Sequence, residues 1–253
     1  MGSPPKVVAI IQARMASTRL PGKVLADIAG QPMLARVVER ARRASTVDSV
    51  AVATTVDPGD LAVARLCLER GYPCMRGHPS DVLDRFYQAA RQLEAEVVVR
   101  LTGDCPLIDP EVVDTTVRAF LEADPPLDLA ANRLAEGRTV PIGLDTEVCS
   151  FQALETAWKE AEDPYEREHV MPFLYEHRDR FRVLLVKQEQ DYGHMRWTVD
   201  TAEDLELARR IYAHFGGRDD FSWLEVLALF ESDPSLAAIN AQVQHRGIRK
   251  ARP

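Results

Sequence analysis

Residues 7–23 read Val7-Val8-Ala9-Ile10-Ile11-Gln12-Ala13-Arg14-Met15-Ala16-Ser17-Thr18-Arg19-Leu20-Pro21-Gly22-Lys23. The first five are apolar and mostly β-branched, which predicts a buried strand. The strand leads into a loop of small residues that carries three cations, Arg14, Arg19 and Lys23. Backbone N–H groups and fixed positive charge together hold polyphosphate oxygens. A basic loop also suits a solvated surface, but open α/β sheets bind ligands where their strands end, so the position favours a phosphate site.

This loop matches neither of the two common glycine signatures for phosphate. Val24 stands where a Walker loop has Ser or Thr after the lysine, and the chain contains no Gly-x-Gly-x-x-Gly. The sequence therefore predicts a phosphate loop of another kind.

Length and composition narrow the function classes. With 253 residues the chain is long enough for one α/β domain with a sizeable core, so we predict a single domain over residues 1–253. The net charge of −8 argues against a nucleic-acid partner or a membrane surface, since such proteins present a basic face. The four cysteines show no zinc spacing and no secreted framework, and no apolar run is long enough to span a membrane. We expect a cytoplasmic protein with a small anionic ligand.

Strand and helix patterns alternate through the first half of the chain. Ser49–Thr55 and Glu96–Leu101 are apolar, β-branched runs, whereas the pattern that opens at Pro32 and the segment Leu61–Arg70 have helical periodicity. Alternation of this kind predicts a mostly parallel sheet with right-handed crossovers and helices on both faces. Thr54 then lies at the carboxyl end of the second strand, where its hydroxyl either faces the loop or simply ends the strand.

An acidic residue follows the predicted central strand. Asp104 stands between Gly103 and a Cys-Pro pair, where a carboxylate has little structural work to do. Mg²⁺ in proteins prefers one or two carboxylates together with waters and phosphate oxygens, so Asp104 is a candidate ligand. Asp109, by contrast, precedes Pro110 and is explained as the N-cap of the next helix.

The alternation loosens after about residue 124. We interpret residues 126–190 as an irregular β arm and residues 217–253 as a helical tail. Within the arm, Asp145 and Glu147 project to one face of an extended segment, so they either bind sugar hydroxyls or form the wet side of a strand. Near the end, Val199 closes a predicted short strand. Asp200 follows it, either as a helix-start carboxylate or as a second metal ligand.

Three motifs carry a family resemblance. The loop pattern Ala-Arg-x-x-Ser-x-Arg-x-Pro-x-Lys, the Gly-Asp-x-Pro-Leu around Asp104 and the Val-Asp-Thr-x-Glu-Asp-Leu around Asp200 resemble the signatures of the cytidylyltransferases that make CMP-activated sugars. Gln12 before Ala13 is typical of the branch named after spore coat polysaccharide biosynthesis protein F. The resemblance covers roughly residues 6–215.

The resemblance implies a three-layer Rossmann-like fold of the nucleotide-diphospho-sugar transferase (GT-A-like) type with a small β arm. It also implies transfer of CMP from CTP to a sugar, for which an acidic keto sugar is expected, in polysaccharide biosynthesis by a homodimer. Mg²⁺ would be held by Asp104 and Asp200, with Arg14 and Lys23 as the other catalytic residues. The remaining nucleotide-binding candidates are Ala13, Ser17, Arg19, Thr54, Arg85, Arg100 and Thr102, and the sugar-binding candidates are Asn132, Gly143, Asp145 and Glu147.

Two other function classes remain open. A GT-A glycosyltransferase shares this sheet type but usually has an Asp-x-Asp pair, whereas Asp104 is followed by Cys105 and Pro106. A non-catalytic nucleotide-binding homologue could lose Lys23 or a metal ligand, and neither is lost here. His169 in Glu166-Arg167-Glu168-His169 fits a structural role better than a catalytic one, and the sequence identifies no general base.

Overall fold

A seven-stranded sheet forms the centre of the computed structural model, which describes residues 4–244. Its strands are β1 (Val7–Gln12), β2 (Ser49–Thr55), β3 (Cys74–Gly77), β4 (Val97–Thr102), β5 (Leu129–Ala131), β6 (Glu147–Ser150) and β7 (Val183–Leu185). They lie in the order β7-β5-β6-β4-β1-β2-β3. Strand β6 runs antiparallel to both its neighbours, and the other adjacent pairs are parallel. The predicted mostly parallel sheet is confirmed.

Helices cover both faces of this sheet. They are α1 (Met33–Ala41), α2 (Leu61–Arg70), α3 (Val82–Gln92), α4 (Pro110–Leu121), α5 (Phe151–Glu160), α6 (Pro164–His169), α7 (Pro172–Glu176), α8 (Ala202–His214), α9 (Trp223–Ser232) and α10 (Leu236–Ile239). Residues from α1, α2, α4, α8 and α9 pack with Ala9 and Ile11 in the first core cluster, whereas α3, α5 and α7 pack with Val8 and Ile10 in the second. This alternation along β1 produces three layers. No helix within residues 4–244 has the length and hydrophobicity needed to cross a bilayer.

Short-range sequence patterns correctly predicted most of the strands and helices in the first half of the chain. Strand β2 and helix α2 have the predicted bounds, and β4 begins one residue later than expected. The side chain of Asp109 accepts hydrogen bonds from the N–H groups of Glu111 and Val112 at 2.9 and 3.3 Å, as an N-cap should.

The predicted short strand ending at Val199 is wrong. This segment makes only an isolated bridge between Arg196 and Ile142, and the N–H of Val199 bonds instead to the carbonyl of Asp104 at 2.8 Å. The reason is position: the segment crosses the carboxyl ends of the strands and does not lie beside one of them. Asp200 is therefore brought directly to Asp104.

The segment 126–190 contributes more to the central sheet than an irregular arm would. Strands β5, β6 and β7 all fall within it and extend the sheet beyond β4. A small hairpin of Arg133–Leu134 and Gly137–Arg138 projects from this part of the chain. Its role in sugar binding or dimerisation stays a prediction. Helices α9 and α10 occupy the described part of the predicted tail, and the basic segment 245–253 lies outside the described residues.

Asp204 fixes the start of α8 and, with it, the position of Asp200. Thr201 and Asp204 form a capping box at the start of α8. The buried Asp204 carboxylate also accepts hydrogen bonds from Arg196 Nε and Asn240 Nδ2, each at 2.9 Å, and from the N–H of Asp200 at 2.9 Å. Burial alone would raise the pKa of Asp204, but these hydrogen bonds outweigh it and hold the pKa below its ordinary value.

Replacing this carboxylate should cost stability in a pH-dependent way. We expect Asp204→Asn to lower the free energy of unfolding at pH 7 by about 3 kcal/mol, because Arg196 loses its buried partner. Because the pKa of Asp204 is lower in the folded state, its ionised carboxylate adds to the free energy of unfolding. This contribution is fully present above the ordinary Asp pKa of about 3.9 and is lost as the pH falls through the lowered pKa. The difference between the two proteins should therefore shrink below about pH 4.

Urea unfolding at pH 7, 5 and 3.5 measures this dependence. Glu206→Gln, at an exposed position of the same helix, is the matched control and should change stability by less than about 0.5 kcal/mol. A pH-independent difference between wild type and Asp204→Asn would contradict this role for the carboxylate.

Candidate nucleotide-binding site

The buried carboxylate of Asp60 anchors the phosphate loop, residues 13–23. The N–H of Met15 donates to Asp60 Oδ1 at 2.6 Å, and the Thr55 hydroxyl bonds to the other oxygen of Asp60, which is 2% exposed. The N–H of Gly22 donates to the Met15 carbonyl at 2.9 Å and closes the loop. Gly22 has a φ of 74°, a left-handed conformation that glycine adopts without strain. The role of Asp60 in anchoring the loop was not predicted from the sequence.

Lys23 joins three distant parts of the chain. Its ammonium lies 2.8 Å from Asp104 Oδ2, 2.8 Å from Asp200 Oδ1 and 2.8 Å from the Val199 carbonyl oxygen. Burial by itself would lower the pKa of Lys23, but Asp104 and Asp200 outweigh that effect and raise it. Lys23 is therefore a permanent cation at neutral pH.

Asp200 lies at the centre of the charged groups. Its Oδ2 is 2.8 Å from Arg19 Nη2 and 2.9 Å from Arg196 Nη2, while Oδ1 accepts from Lys23. Burial would raise the pKa of Asp200, but Lys23, Arg196 and Arg19 outweigh it and lower that pKa. The carboxylate is consequently ionised throughout the neutral range.

These groups open into one cavity of about 470 Å³ at the carboxyl ends of β1 and β4. Nine predicted site residues line it: Ala13, Arg14, Ser17, Arg19, Lys23, Arg85, Thr102, Asp104 and Asp200. The structure thus brings together the phosphate loop, the end of the central strand and the segment before α8, as the motifs predicted.

Two predicted nucleotide-binding residues and the four sugar candidates are not among the lining residues. Thr54 is fully buried, and Arg100 pairs with Glu147 inside the sheet. Asp145 lies 3.7 Å from Arg133 and forms a closer ion pair with Arg138. Arg100, Glu147 and Asp145 are thus engaged in ion pairs within the protein, whereas the buried Thr54 hydroxyl has no hydrogen-bond partner among the described residues. Direct ligand contact by these residues stays a prediction.

Asn132 and Gly143 have evident structural roles. The Asn132 amide bonds to the Leu144 carbonyl at 2.8 Å and receives the Thr146 N–H at 2.9 Å. Gly143 has a φ of 112°, and a Cβ there would lie 2.6 Å from the backbone nitrogen of Thr198. Any larger residue would push the segment before Asp200 away from its position.

The structure also places Glu168 and His169 on the cavity wall, which the sequence did not predict. Glu168 lies 3.7 Å from Arg14, and both side chains are about half exposed. Burial, with a further contribution from Arg100, lowers the pKa of His169, so its ring is neutral at pH 7.

The next residue, Val170, has φ 74° and ψ −58° and forms a γ-turn. The turn is closed by a hydrogen bond of 2.9 Å from the Met171 N–H to the His169 carbonyl. A β-branched residue adopts this turn only under strain.

The donor set fits a hard divalent cation. Asp104 and Asp200 already converge on one cation, the Lys23 ammonium, and their side chains are 28% and 19% exposed at the cavity. Within residues 4–244 no group of three or more His, Cys, Asp or Glu side chains could form a closed protein cage. Two carboxylates with remaining positions for water and phosphate oxygens are the arrangement that Mg²⁺ prefers.

Comparison with known proteins identifies the family. The sequence profile of the cytidylyltransferases matches residues 8–232. Spore coat polysaccharide biosynthesis protein SpsF of Bacillus subtilis is 33% identical over 239 residues, which cover 91% of this chain and 96% of SpsF. The 3-deoxy-manno-octulosonate cytidylyltransferase of Anaeromyxobacter dehalogenans is 35% identical over 240 residues, 82% of this chain and 98% of the relative.

A solved structure agrees with these sequences. A cytidylyltransferase from Leptospira borgpetersenii superposes with a TM-score of 0.88 at 32% identity, covering 96% of this chain and 100% of the other. The resemblance drawn from the three motifs and the fold class are both confirmed. The chain belongs to the cytidylyltransferase family and is a CTP-dependent nucleotidyltransferase.

Proposed function

We propose that this enzyme transfers CMP from CTP to a sugar hydroxyl and releases pyrophosphate, as a step in surface polysaccharide biosynthesis. The observation that carries the proposal is the single cavity shared by the cationic loop and the two carboxylates Asp104 and Asp200. Cations alone would suit any phosphate ligand. Paired carboxylates beside them suit a triphosphate that brings a divalent cation.

The reaction needs positioning and charge neutralisation more than covalent help. The sugar oxygen attacks the α-phosphorus, the bond to the β-phosphate oxygen breaks, and the hydroxyl proton leaves to solvent. Arg14, whose side chain is half exposed, and Lys23, which faces the same cavity, hold the β and γ phosphates as negative charge develops on them. Ser17 and the loop amides orient the triphosphate, and we propose that the Ala13–Arg14 backbone reads the edge of the pyrimidine; all three residues line the cavity.

Asp104 and Asp200 would hold the metal, for which we propose Mg²⁺. When bound, the ion neutralises phosphate charge and draws the reacting groups together. The buried Lys23 ammonium, which contacts both carboxylates, balances part of their negative charge.

For the acceptor we propose an acidic keto sugar. Support comes from a relative named a 3-deoxy-manno-octulosonate cytidylyltransferase, which matches 82% of this chain. We further propose a homodimer that works in the cytoplasm, with the segment 126–190 at the subunit contact. Light scattering coupled to gel filtration tests the dimer.

The proposed reaction is tested by pyrophosphate release from CTP, UTP, ATP and GTP with Mg²⁺ and a panel of acidic and neutral sugars. We expect release with CTP and one acidic keto sugar, and none with ATP or GTP. Release with CTP in the presence of a neutral sugar alone would contradict the acceptor class. Equal release with all four nucleotides would contradict the cytidylyl transfer itself.

Removing one of the two carboxylates should separate catalysis from folding. We expect Asp104→Ala to lower CMP transfer at least about 100-fold. The metal ion would lose one of its two carboxylate ligands, and the phosphate charge would then be neutralised less completely. The protein should stay folded, because the Lys23 ammonium keeps Asp200 and the Val199 carbonyl oxygen as partners. Asp220→Ala, at a site with a 44% exposed side chain, is the matched control. Unchanged turnover in Asp104→Ala would remove this residue from the metal site.

A further inference from the structure

Helix α6 brings two side chains to the wall of the nucleotide cavity, Glu168 and His169. Arg167, which precedes them, fixes this helix against α3. Its Nε lies 3.1 Å from both carboxylate oxygens of Asp81, the N-cap of α3, and its Nη1 donates to the Trp158 carbonyl at 2.7 Å. A guanidinium held by a carboxylate in this way has little freedom to move. The two side chains therefore reach the cavity from a fixed helix.

The backbone directly after His169 is strained and firmly held. The Val170 and Met171 side chains are fully buried in the second core cluster, although Val170 has a φ of 74°. Strained backbone that the surrounding core holds in place clusters at active sites and ligand clamps. Here the strained turn ends α6 at His169, beside the cavity.

The His169 ring is exposed to solvent at the cavity and is not used inside the protein. It packs at a tilt on Tyr165, with ring centroids 4.4 Å apart, and its nitrogens have no hydrogen-bond partner among residues 4–244. Partial desolvation by the surrounding protein, followed by the charge of Arg100, lowers the pKa of His169. The neutral ring therefore offers a free proton-accepting nitrogen at pH 7.

The other ionisable groups of the cavity wall are poorly suited to accept a proton from a sugar hydroxyl. Asp104 and Asp200 bond to Lys23 and would hold the metal. Glu168 lies 3.7 Å from Arg14, and phosphates bound to Arg14 would repel its carboxylate. Apart from these carboxylates and His169, the ionisable side chains that line the described cavity are cations: Arg14, Arg19, Lys23 and Arg85.

His169 also adjoins the part of the chain predicted to bind the sugar. The charges of Arg100, Arg133 and Glu147 are close enough to act on its pKa. Arg100 and Glu147 form the ion pair between β4 and β6, and Glu147 is one of the predicted sugar-binding residues. The ring is thus near both the nucleotide cavity and the polar groups of the segment 126–190.

We propose that His169 is the general base of cytidylyl transfer. The sugar O–H bond breaks and its proton moves to an imidazole nitrogen, while the sugar oxygen forms its bond to the α-phosphorus. The bond from the α-phosphorus to the β-phosphate oxygen breaks, and pyrophosphate leaves with the electron pair. The exposed imidazolium then releases the proton to solvent. This assignment rests on the proposed function and names the group that takes the proton before it reaches solvent.

Pyrophosphate release from CTP with Mg²⁺ and the same panel of acidic and neutral sugars tests the assignment in two variants. His169→Ala leaves space for added imidazole, whereas His169→Gln fills that space with an amide that is not basic. Calorimetric titration with CTP and thermal melting show whether each variant binds the nucleotide and is folded. His214→Ala, at an exposed histidine of α8 that does not line the cavity, is the matched control.

We expect both His169 variants to lower kcat about 100-fold with less than about twofold change in CTP affinity, because a general base contributes to the reaction step and not to nucleotide binding. Added imidazole should raise the activity of His169→Ala at least about tenfold and should not raise that of His169→Gln. Pyrrole, a ring of the same size without a basic nitrogen, should restore neither variant.

Unchanged kcat in His169→Ala would overturn the assignment of His169 and leave cytidylyl transfer intact. A loss of kcat that imidazole does not restore, or that pyrrole restores equally, would also overturn it, because His169 would then only support the cavity wall. Wild type that releases no pyrophosphate from CTP with any sugar of the panel would overturn the proposed function together with this assignment.

Discussion

The ammonium of Lys23 is the contact on which the site depends. It binds Asp104 and Asp200, which lie 81 and 177 residues further along the chain, each at 2.8 Å. A buried ammonium without anions would be strongly destabilised, and two carboxylates this close would repel each other without a cation. The phosphate loop, the end of the central strand and the segment before α8 therefore hold one another in place. The site can form only when these three parts of the chain have come together.

Further ion pairs extend this interdependence to the end of the described chain. Asp200 contacts Arg196, Arg196 contacts Asp204, and Asp204 accepts from Asn240 beyond α10. On the same side of the sheet, the fully buried Arg40 donates to the carbonyls of Ile108, Asp219 and Phe221 at 2.6, 2.9 and 3.0 Å. These contacts give the C-terminal helices a part in positioning Asp200, although they lie outside the three motifs.

Much of this arrangement could be predicted because its signals are local. The bounds of β2 and α2, the cap at Asp109 and the capping box at Thr201 all follow from residues close in sequence. Asp104 could be predicted because it follows an apolar strand, and the strands of such a sheet bind ligands at their carboxyl ends. Asp200 was found only through its motif, because the strand predicted before it does not form.

The features that could not be predicted depend on which residues meet across the sheet, and sequence spacing does not reveal these contacts. Glu147 sits opposite Arg100 only because β6 pairs antiparallel with β4, and this register places these two candidate ligand residues in an internal ion pair. The strand predicted before Asp200 does not form, because this segment makes only an isolated bridge to Ile142 and bonds through Val199 to the Asp104 carbonyl. The strained turn at Val170 and the unpartnered Oε1 of Gln12 are likewise visible only in three dimensions.

We propose that one cavity holds the CTP triphosphate on the loop and a divalent cation on Asp104 and Asp200. A crystal structure of the enzyme with CTP and Mn²⁺ tests this arrangement, because Mn²⁺ is located by its anomalous scattering. We expect an anomalous peak within coordination distance of both carboxylates, with the phosphates against Arg14 and Lys23. A nucleotide bound elsewhere, or a metal ion that touches neither carboxylate, would contradict it.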